Sequence, residues 1–300
     1  MAVESLPSAK AGGGLIGWLR RSPAGRLAAL LGPGLFWLIV FFALPLVVIL
    51  LYSFLTPGST GNVVWRFTLD NYATLFTKDL YVNAYVRSLW MGIATTVICL
   101  LIGYPLALFI VQRSARWRGA LLFLVLIPFW TNFLVRTFAW MIILSNNGVL
   151  NTLFQGIGLP RQTMLNTTGA VLVGLIYGEL PFMVLPIYAS LDRFDFTLLE
   201  AASDLGANRT RAFLRVMLPL TMPGVAAGSV LVFIPTVGQF VVSDLLGGAK
   251  VDMLGNLLQR LFTRSNPPNW PLGSAMALIF MLVLTVAVIF YFRVTTEEDR

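Results

Sequence analysis

Six long apolar runs constrain this chain more than any other feature of its sequence. A helix needs roughly 20 residues to cross the hydrocarbon core of a bilayer, and every run reaches that length. The runs are Leu27–Leu55, Ser88–Val111, Gly119–Leu144, Gly169–Leu191, Thr221–Val242 and Leu272–Phe292. They predict an all-α integral membrane protein in which six transmembrane helices form one domain, 27–292, between short tails at 1–26 and 293–300.

The composition agrees with a membrane protein and excludes several kinds of chemistry. The hydrophobic fraction is 57% and the charged fraction only 11%, against about one-quarter charged residues in soluble domains. Histidine is absent and Cys99 is the only cysteine, which excludes imidazole catalysis, a disulfide framework and a Cys/His metal site. An integral-membrane enzyme would still need a nucleophile with a base or a pair of carboxylates, and Glu179 is the only acid well inside a run. We therefore expect no enzymatic activity.

The distribution of positive charge predicts the orientation. With a cytoplasmic N-terminus, the inner segments carry 13 Lys and Arg in 70 residues and the outer segments carry 7 in 85. Cytoplasmic loops are enriched in Lys and Arg, so both termini are expected in the cytoplasm. The net charge of +8 is then explained by topology and by contact with membrane lipid. No basic soluble domain remains to bind nucleic acid, and no Walker A pattern is present to bind ATP.

The longest inner segment, Asp192–Leu220 between the fourth and fifth spans, carries the most specific pattern. Thr197 and Glu200 have the spacing of a capping box, and Gly206 can end a helix. Between them, apolar residues share one helical face: Leu198, Leu199, Ala202 and Leu205. These features predict a short amphipathic helix, after which Pro219 redirects the chain into the next span. By amphipathicity alone, this helix could simply lie on lipid headgroups.

The order of residues in this segment resembles a known motif. Glu200, Ala201 and Ala202 are followed after three residues by Gly206, and nine residues later by Val216-Met217-Leu218-Pro219. This resembles the EAA motif of bacterial ABC importer permeases, EAA-x3-G-x9-I-x-LP, with Val216 in place of the usual isoleucine. The resemblance implies a coupling helix that docks on an ATP-binding subunit. Its expected contact residues are Glu200, Ala201, Ala202, Asp204, Gly206, Arg209, Arg211 and Pro219.

The resemblance extends to the membrane spans. Four further runs, Pro128–Leu144, Leu180–Leu191, Leu231–Gly248 and Asn269–Ala275, look like the spermidine/putrescine permease family of ABC importers. This implies a multi-pass subunit of the bacterial inner membrane that moves a polyamine into the cytoplasm by alternating access. The implied partners are a sister permease, two cytoplasmic ATP-binding subunits and an extracytoplasmic solute-binding protein. ATP and Mg would be bound by the ATPase, and no cofactor is expected in this chain.

Polar groups within the spans are costly and are candidates for function. Arg136 and Glu179 fall at matching depth in the third and fourth spans, so we expect them to pair. Such a pair could hold two helices together, or Glu179 could instead face the solute.

A polyamine pathway needs carboxylates for ammonium groups and aromatic faces for cation-π contact. Asp244 matches an acidic position of the family, whereas Gln239 stands where the family usually has an acid. The pathway candidates are Trp130, Arg136, Trp140, Tyr177, Glu179, Gln239 and Asp244, with Phe133 and Tyr188 as further aromatics. Because of the amide at 239, an amino acid derivative or mono-cation remains an alternative solute. A self-sufficient secondary transporter is a further alternative, although it would not need a docking loop and no inverted repeat is detectable.

Overall fold

The computed structural model describes residues 23–297, with side chains described outside 23–26, 28–29, 249 and 290–297. Residues 1–22 of the expected tail 1–26 and residues 298–300 of the expected tail 293–300 therefore lie outside the described residues. The described part is mostly helical, and six of its helical stretches are long and apolar enough to cross a membrane. The predicted fold class, a six-span helical membrane protein, is confirmed.

Eleven helices, some interrupted by π-helical turns, follow one another along the described chain. They are α1 (Pro23–Leu38, π turn Ile39–Ala43, Leu44–Ser53), α2 (Asp70–Thr77), α3 (Asp79–Val111), α4 (Ala115–Trp130), α5 (Phe133–Leu144), α6 (Val149–Gly156), α7 (Thr168–Asp192), α8 (Thr197–Asp204), α9 (Arg209–Ala212, π turn Phe213–Met217, Leu218–Gly238), α10 (Leu254–Gln259, π turn Arg260–Arg264) and α11 (Trp270–Glu297). A π turn at Ser243–Gly247 and a 3-10 turn at Gly248–Lys250 join α9 to α10.

A short hairpin between α1 and α2 was not predicted from the sequence. Strands β1 (Leu55–Pro57) and β2 (Val63–Phe67) pair antiparallel. The amide of Asn71 donates to the carbonyls of Ser53 and Leu55 at 3.0 and 2.8 Å. These bonds tie the hairpin and α2 to the end of α1.

Helices α3, α7 and α9 form the centre of the bundle, where the largest cluster of buried apolar side chains lies. Small residues allow close approach, because a Cβ added at Gly228 of α9 would lie 2.9 Å from the Met183 sulfur of α7. The hydroxyls of Tyr104 and Thr221 form a buried hydrogen bond of 2.8 Å between α3 and α9. These three helices provide the scaffold on which the candidate sites are built.

Helix α1 packs differently from the others. Its end lies against α11, where the rings of Tyr52 and Trp270 stack with centroids 6.3 Å apart. Most of its described apolar side chains are exposed in the isolated chain, including those of Phe36, Trp37 and Phe41. These side chains therefore face lipid or another subunit when the chain is in a membrane.

Several predicted span boundaries differ from the helices of the structure. The second helical stretch begins at Asp79 rather than Ser88, and the fifth begins at Arg209 rather than Thr221. The third predicted span, Gly119–Leu144, is broken at Thr131 and Asn132, and the third apolar stretch long enough to cross the membrane is Phe133–Gly156. The break occurs because the Asn132 side chain accepts from the backbone N–H groups at the start of α5 and caps a new helix. The fifth span, which is helix α9, ends at Gly238 rather than Val242, since Gln239 adopts an extended conformation with ψ 134°.

Candidate functional site

The short helix predicted between the fourth and fifth spans is present as α8, but its N-terminus is built differently from the prediction. Asp195, not Thr197, is the acceptor: its Oδ1 accepts from the Thr197 hydroxyl at 2.8 Å and the Thr197 N–H at 3.0 Å. These bonds hold the pKa of the Asp195 carboxyl below its ordinary value. The predicted capping box of Thr197 with Glu200 is therefore wrong, because Thr197 is already the first helical residue.

The end of α8 is built as predicted. Gly206 has a φ of +85°, the left-handed conformation that favours glycine. The N–H of Gly206 donates to the Ser203 carbonyl at 2.9 Å, and the N–H of Ala207 donates to the Ala202 carbonyl at 3.0 Å. This pair of bonds is a Schellman motif, so the glycine is required by backbone geometry rather than by space.

The residues predicted to contact the ATP-binding subunit are mostly exposed. Glu200, Ala201, Asp204, Gly206, Arg209, Arg211 and Pro219 are exposed, and Ala202 is half-buried. Leu205, expected on the apolar face of α8, is 90% exposed, while Leu199 packs against the bundle. The outer surface of α8 thus combines an exposed leucine with small and charged residues, a composition suited to contact with another protein.

Pro219 does not redirect the chain, contrary to the prediction. Helix α9 runs without a break from Arg209 to Gly238. In the preceding π turn the N–H of Leu218 bonds to the carbonyl of Phe213. This change of hydrogen-bond register lets the helix continue past a residue without an N–H. The chain that follows α8 therefore enters the membrane span as one continuous helix.

An ion pair next to α8 was not found from the sequence. Arg118 Nη1 lies 2.8 Å from Asp192 Oδ1 and joins the start of α4 to the end of α7. The Tyr188 hydroxyl donates to the same carboxylate oxygen at 3.4 Å. Tyr188, a candidate pathway aromatic, therefore contacts the segment that leads into the coupling helix.

Three predicted pathway residues meet in one groove. Arg136, Trp140 and Tyr177 line a cavity of about 340 Å³ together with Thr131, Val135, Ala139 and Ile143. The rings of Trp140 and Tyr177 meet edge to face with centroids 5.4 Å apart. Arg136 Cζ lies 5.9 Å from the Tyr177 ring centroid and 5.7 Å from that of Phe133. The groove offers aromatic faces and one guanidinium.

The other predicted pathway residues lie outside this groove. Trp130 is 79% exposed and packs edge to face against Phe123 with centroids 5.8 Å apart. Glu179 is only 8% exposed, and its Oε2 atom has no hydrogen-bond partner.

The expected pair between Arg136 and Glu179 is not formed within 4.0 Å. Arg136 Nη1 instead donates to the carbonyl of Pro128 at 2.8 Å, and the Thr131 hydroxyl donates to the same oxygen at 2.7 Å. The helix break leaves this carbonyl without a helical partner, and a strong donor is drawn to it. The sequence pattern missed this role because it does not reveal the break.

Gln239 and Asp244 occupy the connection that follows α9. Gln239 Oε1 accepts from the N–H groups of Phe240 and Val241 at 3.1 and 3.3 Å. Its only acceptor atom is therefore used by the backbone, and its remaining polar group is the donor NH₂. Asp244 Oδ2 lies 3.2 Å from Arg264 Nη2, a partner that the sequence analysis did not identify.

The sequence of the chain matches a known protein family and curated relatives. Residues 99–296 match the family described as "Binding-protein-dependent transport system inner membrane component". The chain is 44% identical to the "Spermidine/putrescine transport system permease protein PotB" of Haemophilus influenzae, over 88% of this chain and 92% of that protein. It is 42% identical to PotB of Escherichia coli K12, over 86% and 93% of the two chains.

The fold also resembles a solved transporter. The crystal structure of "a bacterial ABC transporter involved in the import of the acidic polysaccharide alginate" superposes with a TM-score of 0.75. The superposition covers 90% of this chain and 95% of that chain at 22% sequence identity. At this identity the likeness concerns the fold.

Proposed function

The chain belongs to the family of inner membrane components of binding-protein-dependent transport systems, and we propose that its solute is a polyamine of the putrescine and spermidine class. Family membership makes it a multi-pass inner membrane permease of an ATP-driven ABC importer rather than an enzyme. The observation that carries the solute assignment is the 44% identity to a spermidine/putrescine permease over 88% of the chain. The aromatic groove formed by Trp140 and Tyr177, and the carboxylate of Asp244, support it.

An amino acid derivative or a mono-cation remains the second candidate solute. The observation that favours it is Gln239, whose oxygen is used by the backbone and which offers no acceptor to an ammonium group. Arg136 adds a positive charge to the groove, which opposes a polyvalent cation more strongly than a monovalent one.

Transport requires partners that this chain does not supply. Importers of this family depend on a solute-binding protein and an ATPase, and we assign one sister permease and two ATP-binding subunits to this system. ATP and Mg belong to the ATPase subunits. The orientation follows the charge asymmetry, with both termini and α8 in the cytoplasm and the solute-binding protein on the opposite side.

We assign ATPase docking to the exposed surface of α8. Leu205 and Ala201 provide an apolar contact that a groove on the ATPase can bury, and Glu200, Arg209 and Arg211 provide charged contacts at its edge. Closure of the ATPase then moves α8, and the continuous helix α9 carries that movement into the membrane. The resulting tilt of the spans exposes the solute pathway to one side at a time.

The solute assignment is tested by uptake into vesicles that contain the complete importer and its solute-binding protein. Radiolabelled putrescine and spermidine are supplied outside, ATP inside, and a mono-cationic analogue is added as a competitor. We expect ATP-dependent uptake of a polyamine and weak competition by the analogue. ATP-driven transport in which no polyamine is taken up or competes would overturn the solute while leaving the importer assignment intact.

A further inference from the structure

The ion pair of Asp244 with Arg264 lies where the solute is expected to enter the chain. Asp244 follows the end of α9, and the N–H of Asn166, just before α7, donates to the Leu246 carbonyl at 2.8 Å. Arg264 ends the π turn of α10, six residues before α11 begins at Trp270. The starts of α7 and α11 and the end of α9 all lie at the outer surface in the proposed topology, so both side chains belong to the outer mouth.

The pair is accessible and weakly held. Its side chains are 32% exposed at Asp244 and 53% at Arg264, and they share a single contact of 3.2 Å. The neighbouring pair of Arg260 with Asp252 is different, since it has two contacts of 2.7 and 2.8 Å and Asp252 is only 19% exposed. Bidentate pairs are the stronger kind, whereas an exposed single contact contributes little.

In this pair the carboxylate of Asp244 already binds a cation, the guanidinium of Arg264. A guanidinium N–H bonded to a carboxylate oxygen takes the position that an ammonium N–H of a solute would take. Between α9 and α11, Asp252 is committed to Arg260 and the side-chain oxygen of Gln239 is used by the backbone. Within this segment Asp244 is therefore the acidic group that an incoming cation can reach by opening one weak contact. Exchanging one cation for another leaves the charge of the carboxylate compensated throughout.

We propose that Arg264 is an internal competitor for Asp244, which an ammonium group of the solute displaces as it enters. This inference rests on the proposed function, since it requires a cationic solute. It makes Arg264 a specificity-determining residue: a polyvalent cation that can bind elsewhere at the same time displaces the guanidinium more readily than a mono-cation does.

The inference predicts the behaviour of four variants. Arg264→Gln frees the carboxylate and raises the affinity for spermidine about two- to fivefold, the range expected for an exposed pair. Asp244→Asn lowers the affinity, and adding Arg264→Gln to Asp244→Asn has no further effect. Arg161→Gln, which removes a cation from another outer loop, leaves the affinity unchanged.

The test is equilibrium dialysis of radiolabelled spermidine against the purified membrane complex with its ATPase subunits, without the solute-binding protein. A rise for Arg264→Gln that disappears in the Asp244→Asn background supports the inference. Equal binding by the wild type and Arg264→Gln, including no measurable binding by either, would overturn it. So would a rise that persists in the Asp244→Asn background, because that is a general charge effect. Arg264→Met serves as a second neutral variant if the glutamine variant assembles poorly.

Uptake by the wild type separates this inference from the proposed function. If vesicles take up spermidine with ATP but Arg264→Gln binds it no better, the competitor role fails and the polyamine assignment stands. If the wild type takes up no polyamine at all, the solute assignment itself fails.

Discussion

Arg136 reaches back across a helix break to donate to the carbonyl of Pro128, with Nη1 2.8 Å from the oxygen. The break divides the predicted third span into α4 and α5 and places the Arg136 side chain in the groove with Trp140 and Tyr177. One guanidinium thereby stabilises the end of α4 and contributes charge to the candidate pathway. The two roles can be separated experimentally.

Replacement of Arg136 tests the structural role. Arg136→Met removes one of two donors to the Pro128 carbonyl, and the Thr131 hydroxyl remains as the other. We expect the free energy of unfolding to fall by about 1 kcal/mol, the net contribution of a typical hydrogen bond. Thermal unfolding of the purified complex measures this, with Arg161→Met in an exposed loop as the matched control. Equal melting temperatures for the two variants would show that the bond to Pro128 contributes nothing.

Glu179→Gln tests whether the buried carboxyl is held by an ionic partner. Glu179 forms no ion pair within 4.0 Å, and its Oε2 has no hydrogen-bond partner. The amide variant therefore breaks no pair, and we expect stability to be unchanged or to rise by up to about 1 kcal/mol. A clear loss of stability in the same unfolding assay would contradict the geometry described here. Normal stability with abolished uptake would identify Glu179 as a residue of the solute pathway.

Gln239→Glu tests the alternative solute. A carboxylate can accept the N–H groups of Phe240 and Val241 with one oxygen and keep the second for a cation. We expect the variant to favour polyamines over the mono-cationic analogue more strongly than the wild type does. Competition during uptake measures the ratio, and Gln239→Ala, which removes both the acceptor and the donor, is the control. An unchanged ratio would mean that this side chain does not meet the solute.

Asp195 provides a test of the coupling helix that avoids the docking surface itself. Asp195→Ala removes the acceptor of both Thr197 bonds, which we expect to destabilise the first turn of α8. Asp195→Asn keeps an acceptor oxygen and is the matched control. We expect fewer solute molecules transported per ATP hydrolysed for the alanine variant and a ratio close to the wild type for the asparagine variant. Equal ratios for both variants would show that the start of α8 does not affect coupling.

The stability that the Asp195–Thr197 bonds contribute depends on pH in a direction that follows from the pKa of Asp195. Hydrogen bonds from Thr197 lower the pKa of Asp195 in the folded protein. The stability that they contribute is therefore present above the ordinary pKa of an aspartate and is lost as the pH falls through the lowered value. We expect the difference between the wild type and Asp195→Ala to shrink in acid, where the protonated side chain keeps only a neutral acceptor oxygen, and to be constant near neutral pH.

Much of the fold follows from the sequence because a membrane span must satisfy its backbone internally. Long apolar runs predicted the six-span helical class, and Gly206 predicted the end of α8, since its φ of +85° is a local requirement. The break at Asn132 was missed because the apolar run continues through it. A capping side chain inside such a run leaves no trace in hydropathy.

The candidate sites were harder to predict than the helices. Trp140 and Tyr177 were predicted only as pathway aromatics, and their contact across α5 and α7 was not predicted. Matching depth along two spans was applied to Arg136 and Glu179. Depth alone could not show which way a side chain turns, so the pairing of Arg136 with Glu179 was wrong. The partners of Asp195 and Asp244 depend on hydrogen bonds and loop geometry that spacing does not encode.

The central claim is that ATP hydrolysis drives import because α8 docks on the ATPase. Its most direct test compares the wild type with Ala202→Trp and Glu200→Arg in vesicles containing the complete importer. The bulky or reversed side chain should prevent docking on the ATPase without disturbing the membrane spans. We expect spermidine uptake that requires ATP for the wild type, and uptake reduced at least tenfold in both variants, with normal amounts of the chain in the membrane. Undiminished uptake by both variants, or uptake by the wild type without ATP, would contradict this mechanism.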